Sequence, residues 1–154
     1  MSAPTQKIIL PHEDATRGFA RKVASILRPG DVILLEGSIG TGKTFFARHL
    51  IQTRLGVAED VPSPTFTLVQ VYDDAMCEIW HCDLYRLTHP DEAVELGLQD
   101  AFETAICLIE WPDRLGDLAP DDALTLSFSA DGDLHTVTPH VGATWQPRWA
   151  SIDV

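Results

Sequence analysis

A glycine-rich segment between an apolar run and an amphipathic run places the strongest constraint on this chain. Residues 37–44 read Gly-Ser-Ile-Gly-Thr-Gly-Lys-Thr, which matches the spacing G-x-x-x-x-G-K-[ST]. The preceding residues 32–35 are all apolar, which is typical of a strand covered on both faces. Residues 44–55 repeat apolar side chains at helical spacing and are followed by Gly56, a common helix stop. The order strand, loop, helix predicts a phosphate-binding loop in a parallel α/β sheet.

The chemistry of phosphate binding explains these residue types. Glycines let the backbone curl until successive N–H groups point at phosphate oxygens, with a helix N-terminus behind them. Lys43 then reaches the outer phosphates, and the Thr44 hydroxyl is a hard oxygen ligand for Mg²⁺. A glycine turn that only leads into a helix is the structural alternative. The loop residues expected to bind nucleotide are Gly37, Ile39, Gly40, Thr41, Gly42, Lys43 and Thr44.

The acidic composition limits the partners of such a loop. The chain has 11 basic and 23 acidic residues, a net charge of -12, and Lys43 is one of only three lysines. A phosphate-rich partner would be repelled over most of this surface, which argues against tight nucleic-acid binding by the chain alone. A partner protein with a basic face is favoured instead. At the loop itself, short-range N–H dipoles and one ammonium outweigh the distant negative field.

The length and the apolar runs indicate a single domain outside the membrane. The chain of 154 residues is the size of one domain, and no apolar run approaches the ~18 residues of a membrane span. The N-terminus has no basic stretch followed by a long apolar one, so we expect no signal peptide and a cytoplasmic location. Three cysteines without CxxC spacing are expected to be reduced, mostly buried thiols. We expect the domain to cover residues 1–140 and leave the tail, residues 141–154, unassigned.

The remaining patterns predict a three-layer α/β domain with a mixed central sheet. A strand is expected at residues 7–10, a helix at 14–27, and a helix interrupted by Gly97 at 91–102. Residues 66–72 and 76–83 predict one antiparallel hairpin, and residues 124–128 and 134–137 predict a second. Residues 106–109 are fully apolar and predict another buried strand. Together with the glycine loop, these elements indicate a P-loop NTPase-like fold.

The chain contains no asparagine, and this favours ATP over GTP, because GTPases normally read guanine with an Asn-Lys-x-Asp segment. Phosphoryl transfer also needs a second carboxylate for Mg²⁺, usually at a strand end. Glu110, after the apolar strand, fits that role, although it could also be a solvated strand-end carboxylate. Asp83 is the other candidate, since alternation places Ile79, His81 and Asp83 on one face of a strand. Taken alone, His81 is more often a structural histidine.

Two further residues leave alternatives open. Thr65 lies between the loop helix and the next strand, where some P-loop switches place a nucleotide-sensing threonine. The prolines around it, at positions 62 and 64, could equally shape a rigid turn. Arg86 follows Asp83 closely and could contact phosphate, but an arginine more often makes a surface ion pair.

Four separated motifs together resemble one family. GSIGTGKT, SPTFTLV at residues 63–69, HCDLYRL at 81–87 and CLIEWPDRL at 107–115 are similar, in order and spacing, to the TsaE family, also called YjeE. The resemblance covers roughly residues 8–137. This family comprises small bacterial P-loop ATPases needed to form threonylcarbamoyladenosine beside the anticodon of tRNAs that read codons beginning with adenine.

The resemblance implies roles for individual residues. Lys43 and Thr44 would hold phosphates and Mg²⁺, Glu110 would be the metal carboxylate, and Asp83 would act near the terminal phosphate. Thr65 would belong to a switch-like loop, Trp111 would lie near the nucleotide, and Glu13 would approach the base. This chain departs from many relatives in having Ser-Ile-Gly-Thr at 38–41 instead of Asp-Leu-Gly-Ala, and Asp133 instead of arginine after Gly132.

The function implied is that of an ATP-binding and ATP-hydrolysing accessory protein with Mg²⁺ as cofactor. It would act with a threonylcarbamoyl-transferase complex of TsaB and TsaD type proteins, would meet tRNA only indirectly, and would hydrolyse ATP slowly without its partners. One rival is a small-molecule P-loop kinase, although no arginine-rich lid is evident. Another is a nucleotide-gated binding module that hydrolyses nothing.

Overall fold

A mixed sheet forms the centre of the protein. The computed structural model describes residues 3–4 and 6–154, with side chains from residue 6 onward. The strands are β1 (Ala3–Pro4), β2 (Ile8–Leu10), β3 (Val32–Glu36), β4 (Val69–Asp73), β5 (Glu78–Asp83), β6 (Ile106–Glu110), β7 (Leu124–Asp131) and β8 (Leu134–Val141). Their order is β1-β8-β7-β3-β6-β5-β4, and β2 also pairs with β8. The strands β5, β6, β3 and β7 run parallel, whereas β4–β5 and β7–β8 are antiparallel. The predicted mixed sheet with two hairpins is therefore confirmed.

Helices cover both faces of this sheet. They are α1 (Glu13–Ala24), α2 (Lys43–Leu55), α3 (Asp91–Glu95), α4 (Leu98–Thr104) and α5 (Gln146–Trp149), with a 3₁₀ segment at Pro112–Leu118. Alternate residues of β3 enter two separate cores: Ile33 packs with α1 and α2, and Val32 packs with α3 and α4. This arrangement explains why the strand is apolar throughout, and it confirms the three layers. No helix in the described residues has the length and apolar character to span a bilayer.

Several element boundaries differ from the sequence patterns, and each has a local cause. The first hairpin begins at Val69 instead of residue 66, because the N–H of Leu68 bonds to Pro64 O at 2.7 Å and closes a turn. The interruption predicted at Gly97 within helix 91–102 is confirmed: the segment forms two helices, and Gly97 between them adopts φ +87°. Helix α1 ends at Ala24, and i to i-3 bonds tighten the chain beyond it.

The chain end packs against the same core as the glycine-loop helix. Trp145 and Trp149 belong to the core that contains α1 and α2. The indole N–H of Trp145 donates to the carbonyl of Asp122 at 2.8 Å. Arg148 pairs with Asp31 at 2.6 Å and lies 4.2 Å from the centroid of the Trp145 ring. Residues 145–149, which no sequence pattern identified, therefore hold Asp31, the residue before β3, through Arg148.

The three cysteines are free thiols. Cys82 and Cys107 are buried, and Cys77 is half-buried. Burial raises the pKa of Cys107 to about 12 and also raises the pKa of Cys82, so both remain protonated near neutral pH. Their placement agrees with the expectation of buried, reduced side chains.

Replacement of Trp145 by alanine is expected to destabilise the whole domain. The change empties a nearly fully buried site and removes one hydrogen bond. We expect a loss of ~3–5 kcal/mol in the free energy of unfolding, measured by urea titration. The control Val57→Ala alters a residue that is 59% exposed, and should change stability by less than about 0.5 kcal/mol. Equal stabilities of the two variants would contradict this role of the tail.

Candidate nucleotide-binding site

Parallel pairing brings the carboxyl ends of three strands to one edge of the sheet. In the register of β3 with β6, Leu35 lies opposite Glu110, and in that of β5 with β6, Asp83 lies opposite Glu110. The glycine loop follows β3 directly, so the loop and the two predicted carboxylates come together. Ligands of open α/β sheets bind at this edge.

The loop conformation depends on its glycines. Gly37, Gly40 and Gly42 adopt φ of +139°, +83° and +102°, in the region that disfavours other residues. A Cβ atom at Gly37 would also lie 2.6 Å from Phe128 O. Helix α2 begins at Lys43, and Gly42 before it provides no side-chain cap. The first-turn N–H groups of α2 therefore face the loop, where an anion can accept from them.

Lys43 is buried beneath the loop that it is predicted to serve. Its side chain is 5% exposed, and the ammonium donates to the carbonyl of Gly37. The nitrogen also lies 3.8 Å from the centroid of the Trp111 ring, within cation–π range. Burial lowers the pKa of Lys43, and the charges of Glu110 and Asp83 oppose this shift. A group that carries a positive charge here has one face against an indole and two carboxylates nearby.

Thr44, Glu110 and His81 form a chain of hydrogen bonds at the end of β6. The Thr44 hydroxyl donates to Glu110 Oε1 at 2.9 Å, and His81 Nε2 lies 2.7 Å from Glu110 Oε2. Glu110 is 2% exposed. A hydroxyl and a carboxylate at this spacing are the hard oxygen donors that Mg²⁺ prefers, so the residues present fit this ion. No group of three or more His, Cys, Asp and Glu side chains suited to a metal occurs in the described part of the chain.

Asp83 and Thr65 lie in hydrogen-bond contact. The Thr65 hydroxyl donates to Asp83 Oδ2 at 3.0 Å, and the backbone N–H of Tyr85 donates to Asp83 Oδ1 at 3.0 Å. Ser63 Oγ lies 2.8 Å from Thr65 Oγ1. Both carboxylate oxygens of Asp83 are therefore held in place, one of them by a hydroxyl from a loop.

Arg86, which follows the end of β5, holds that loop by hydrogen bonds. Its guanidinium donates to the carbonyl of Thr65 at 3.1 Å and also to the carbonyl of Phe66, and it lies 5.8 Å from the centroid of the Phe66 ring. Leu68 closes the loop with φ +68°, an uncommon conformation for leucine. Among the described residues Arg86 forms no ion pair; its guanidinium bonds to backbone carbonyls instead. It holds the segment that carries Thr65.

An open cavity of ≈ 440 Å³ connects these groups. Its lining residues are Ile39, Gly40, Gly42, Lys43, Thr44, Phe45, Thr65, Asp83, Tyr85, Glu110, Trp111 and His135. Three predicted residues lie outside this lining: Glu13, and the loop residues Gly37 and Thr41. Gly37 accepts from Lys43, and the Thr41 hydroxyl donates to Ser38 O at 2.8 Å, so both shape the loop from within.

A second cavity of ≈ 280 Å³ adjoins the first and shares Gly42, Phe45 and His135 with it. Glu13 lines this second cavity, together with Asp133. The Glu13 side chain is exposed and pairs with Arg17 at 3.3 Å. Glu13, which is predicted to approach the base, therefore lies in the cavity beside the loop. Because the two cavities adjoin, an elongated ligand could extend from one into the other.

Three lining residues were not predicted as site residues. Phe45 lies off the buried stripe of α2, so a large aromatic side chain at that position could have indicated a binding residue. Tyr85 stacks near Trp111 with ring centroids 4.8 Å apart, and it belongs to the DLYRL segment. His135 lies in β8 and reaches the loop only through the sheet order, with its Nδ1 3.2 Å from where a Cβ on Gly42 would lie. No local pattern marks His135.

Comparison with known proteins assigns the family. A model of the family described as "Threonylcarbamoyl adenosine biosynthesis protein TsaE" matches residues 10–137. Proteins named tRNA threonylcarbamoyladenosine biosynthesis protein TsaE are similar in sequence. The one from Rickettsia bellii is 42% identical over 83% of this chain and 89% of its own length. The one from Bacillus subtilis is 36% identical over 78% of this chain and 75% of its own length.

A solved structure agrees with this assignment. The crystal structure of YdiB from Bacillus subtilis superposes with a TM-score of 0.80 at 28% sequence identity, covering 98% of this chain and 95% of YdiB. The superposition therefore includes the elements that carry the glycine loop, Asp83 and Glu110. The matched family model alone spans most of the chain. This chain belongs to the TsaE family.

Proposed function

We propose that this chain is an ATPase that supports formation of threonylcarbamoyladenosine in tRNA, acting with a threonylcarbamoyl-transferase complex of TsaB and TsaD type proteins. The observation that carries the proposal is the convergence of Lys43, Thr44, Glu110 and Asp83 on one cavity behind a glycine loop. Membership of the TsaE family supports the role in tRNA modification. The three free thiols agree with a cytoplasmic location, where thiols stay reduced.

Binding of the triphosphate is assigned to the loop and Lys43. The N–H groups at the start of α2 would donate to phosphate oxygens, and Lys43 would exchange its bond with the Gly37 carbonyl for one with phosphate. The exchange is favourable because a charge-assisted bond to phosphate is stronger than one to a neutral carbonyl. The indole of Trp111 would remain as one wall beside the ammonium.

Thr44 and Glu110 would hold Mg²⁺, and their short contact supports this assignment. The ion supplies neutralisation of phosphate charge during transfer. The second oxygen of Glu110 is already bonded to His81, so the carboxylate would present the other oxygen to the cavity.

Asp83 is assigned the orientation of the attacking water. Its carboxylate lines the cavity, and the hydroxyl of Thr65 lies against it. In the proposed reaction, water attacks the γ-phosphorus in line with the bond to the β-phosphate oxygen, that bond breaks, and ADP and inorganic phosphate leave. Asp83 would accept a hydrogen bond from the water and take up its proton.

Partner stimulation is supported by the loop that carries Thr65. Phe66 is strongly exposed beside the site, and the arginine that holds this loop is on the same surface. A partner that docks here can move Thr65 relative to Asp83. The net charge of -12 favours a partner with a basic face and agrees with only indirect contact with tRNA.

Substitutions at Lys43 and Asp83 separate binding from hydrolysis. Lys43→Ala should weaken ATP binding by ~10–100-fold, because a charged hydrogen-bond donor is lost. Asp83→Asn should keep ATP affinity and lower partner-stimulated hydrolysis by ~10²–10⁴-fold. Both are measured by calorimetry and by phosphate release with the transferase subunits present. The control Asp100→Asn changes an exposed acid of α4 away from the cavity, and should match the wild type; wild-type turnover in Asp83→Asn would remove its role.

The absence of asparagine leads to an expectation for base preference. A fluorescent ATP analogue bound to the protein should be displaced more strongly by unlabelled ATP than by GTP. Equal or stronger displacement by GTP would overturn the choice of ATP while leaving the phosphate site intact.

The lowered pKa of Lys43 predicts a pH dependence of ATP binding. Bound triphosphate stabilises the protonated lysine, so this contribution to affinity is complete below the Lys43 pKa of the free protein and is lost as pH rises from there through the Lys43 pKa of the complex. Because burial places that pKa below the ordinary 10.5, the loss should begin at a lower pH than for an exposed lysine. Affinity is measured in EDTA from neutral to alkaline pH. Lys43→Ala should lack this decline, and a wild-type profile that matches the variant would contradict the assignment.

A further inference from the structure

His81 is a polar side chain enclosed completely in the sheet. Its side chain is 0% exposed, and it lies in β5 two residues before Asp83. Nε2 contacts Glu110 Oε2 at 2.7 Å, whereas Nδ1 has no hydrogen-bond partner in the described residues. The bond to Glu110 is therefore the polar interaction that sets the orientation of the ring.

The direction of this bond follows from its partners. The carboxylate of Glu110 already accepts from the Thr44 hydroxyl through Oε1, and as a carboxylate it can only accept through Oε2. Nε2 of His81 therefore carries the hydrogen and is the donor of this hydrogen bond. One oxygen of Glu110 is tied to a strand neighbour, and the other is left facing the loop threonine.

Packing alone accounts poorly for a histidine here. The neighbouring residue Ile79 lies on the same face of β5 and enters the apolar core, and an apolar side chain at position 81 would leave no nitrogen unpaired. The register fixes the height of the ring, since His81 lies opposite Leu108 and Asp83 lies opposite Glu110. The imidazole therefore reaches diagonally across to β6, where Glu110 lies two residues beyond Leu108.

We propose that His81 is a positioning residue that holds the Glu110 carboxylate with Oε1 turned toward Thr44. In this orientation Glu110 Oε1 and the Thr44 hydroxyl oxygen can bind the same Mg²⁺ ion. This inference rests on the proposed function, because it requires that Thr44 and Glu110 bind the ion with nucleotide. It concerns orientation of the carboxylate and assigns no proton transfer to His81. Loss of such a partner of a metal-binding carboxylate typically costs 10–100-fold in metal affinity or activity.

The test compares ATP affinity in excess Mg²⁺ with ATP affinity in EDTA, both by calorimetry. The ratio of the two dissociation constants is the gain due to Mg²⁺. His81→Leu should lower this gain by ~10–100-fold while affinity in EDTA stays within about threefold of the wild type. His81→Gln, whose amide nitrogen can occupy the place of Nε2, should retain most of the gain. His81→Asn places its amide nearer the position of Nδ1, so its gain from Mg²⁺ should be as low as that of His81→Leu.

A matched control separates orientation from packing. Cys82→Ala alters the next, fully buried residue of β5, whose side chain enters the opposite core. It should lower the melting temperature and keep the wild-type gain. If His81→Leu does not fold, the comparison of His81→Gln with His81→Asn makes the same test with two amides.

The outcomes are distinct. An unchanged gain in His81→Leu, or equal gains in the glutamine and asparagine variants, would overturn the role of His81. A loss of gain in Cys82→Ala as large as in His81→Leu would do the same. If the wild type itself shows no gain from Mg²⁺, the metal site of the proposed function fails, and the role of His81 fails with it.

Discussion

Burial of one ammonium among carboxylates, at the end of a parallel sheet, is the constraint on which the site depends. Lys43, Glu110 and Asp83 are each nearly inaccessible to water. A buried charge is tolerated when it is paired and hydrogen-bonded, and each of the three has such partners: the Gly37 carbonyl for Lys43, a hydroxyl and an imidazole for Glu110, and a hydroxyl and an amide for Asp83. The three groups are also coupled by charge, because the Glu110 and Asp83 carboxylates raise the pKa of Lys43 against the effect of burial.

The same edge of the sheet joins a rigid half of the site to a more adjustable half. Helix α2 and β6 are fixed by two apolar cores. The segment around Thr65 is held mainly by polar contacts from Arg86 and Asp83 and by the left-handed turn at Leu68. Polar contacts at the surface are weaker than packing, so this half is the less firmly held of the two. Trp111, with φ +58° directly after Glu110, marks a second uncommon conformation beside the cavity.

Much of this arrangement could be predicted from the sequence, for physical reasons. The wholly apolar β3 and β6 indicated strands covered on both faces, and strand ends placed the loop, Asp83 and Glu110 together. His135 could not be predicted, because it reaches the loop through the pairing of distant strands. The tail could not be assigned because α5 is a single helical turn whose tryptophans gain their position from the core. The role of Arg86 was also hidden, since two backbone carbonyls leave no sequence pattern.

The position of β3 has a consequence for synthesis on the ribosome. Its neighbours in the sheet are β6 and β7, which are encoded 70 or more residues later. The nascent glycine loop therefore leaves the exit tunnel long before the strands that flank it exist. Until those strands are available, the backbone amides of the loop are solvated. In such a topology the loop can take its folded position only after β6 and β7 have been translated.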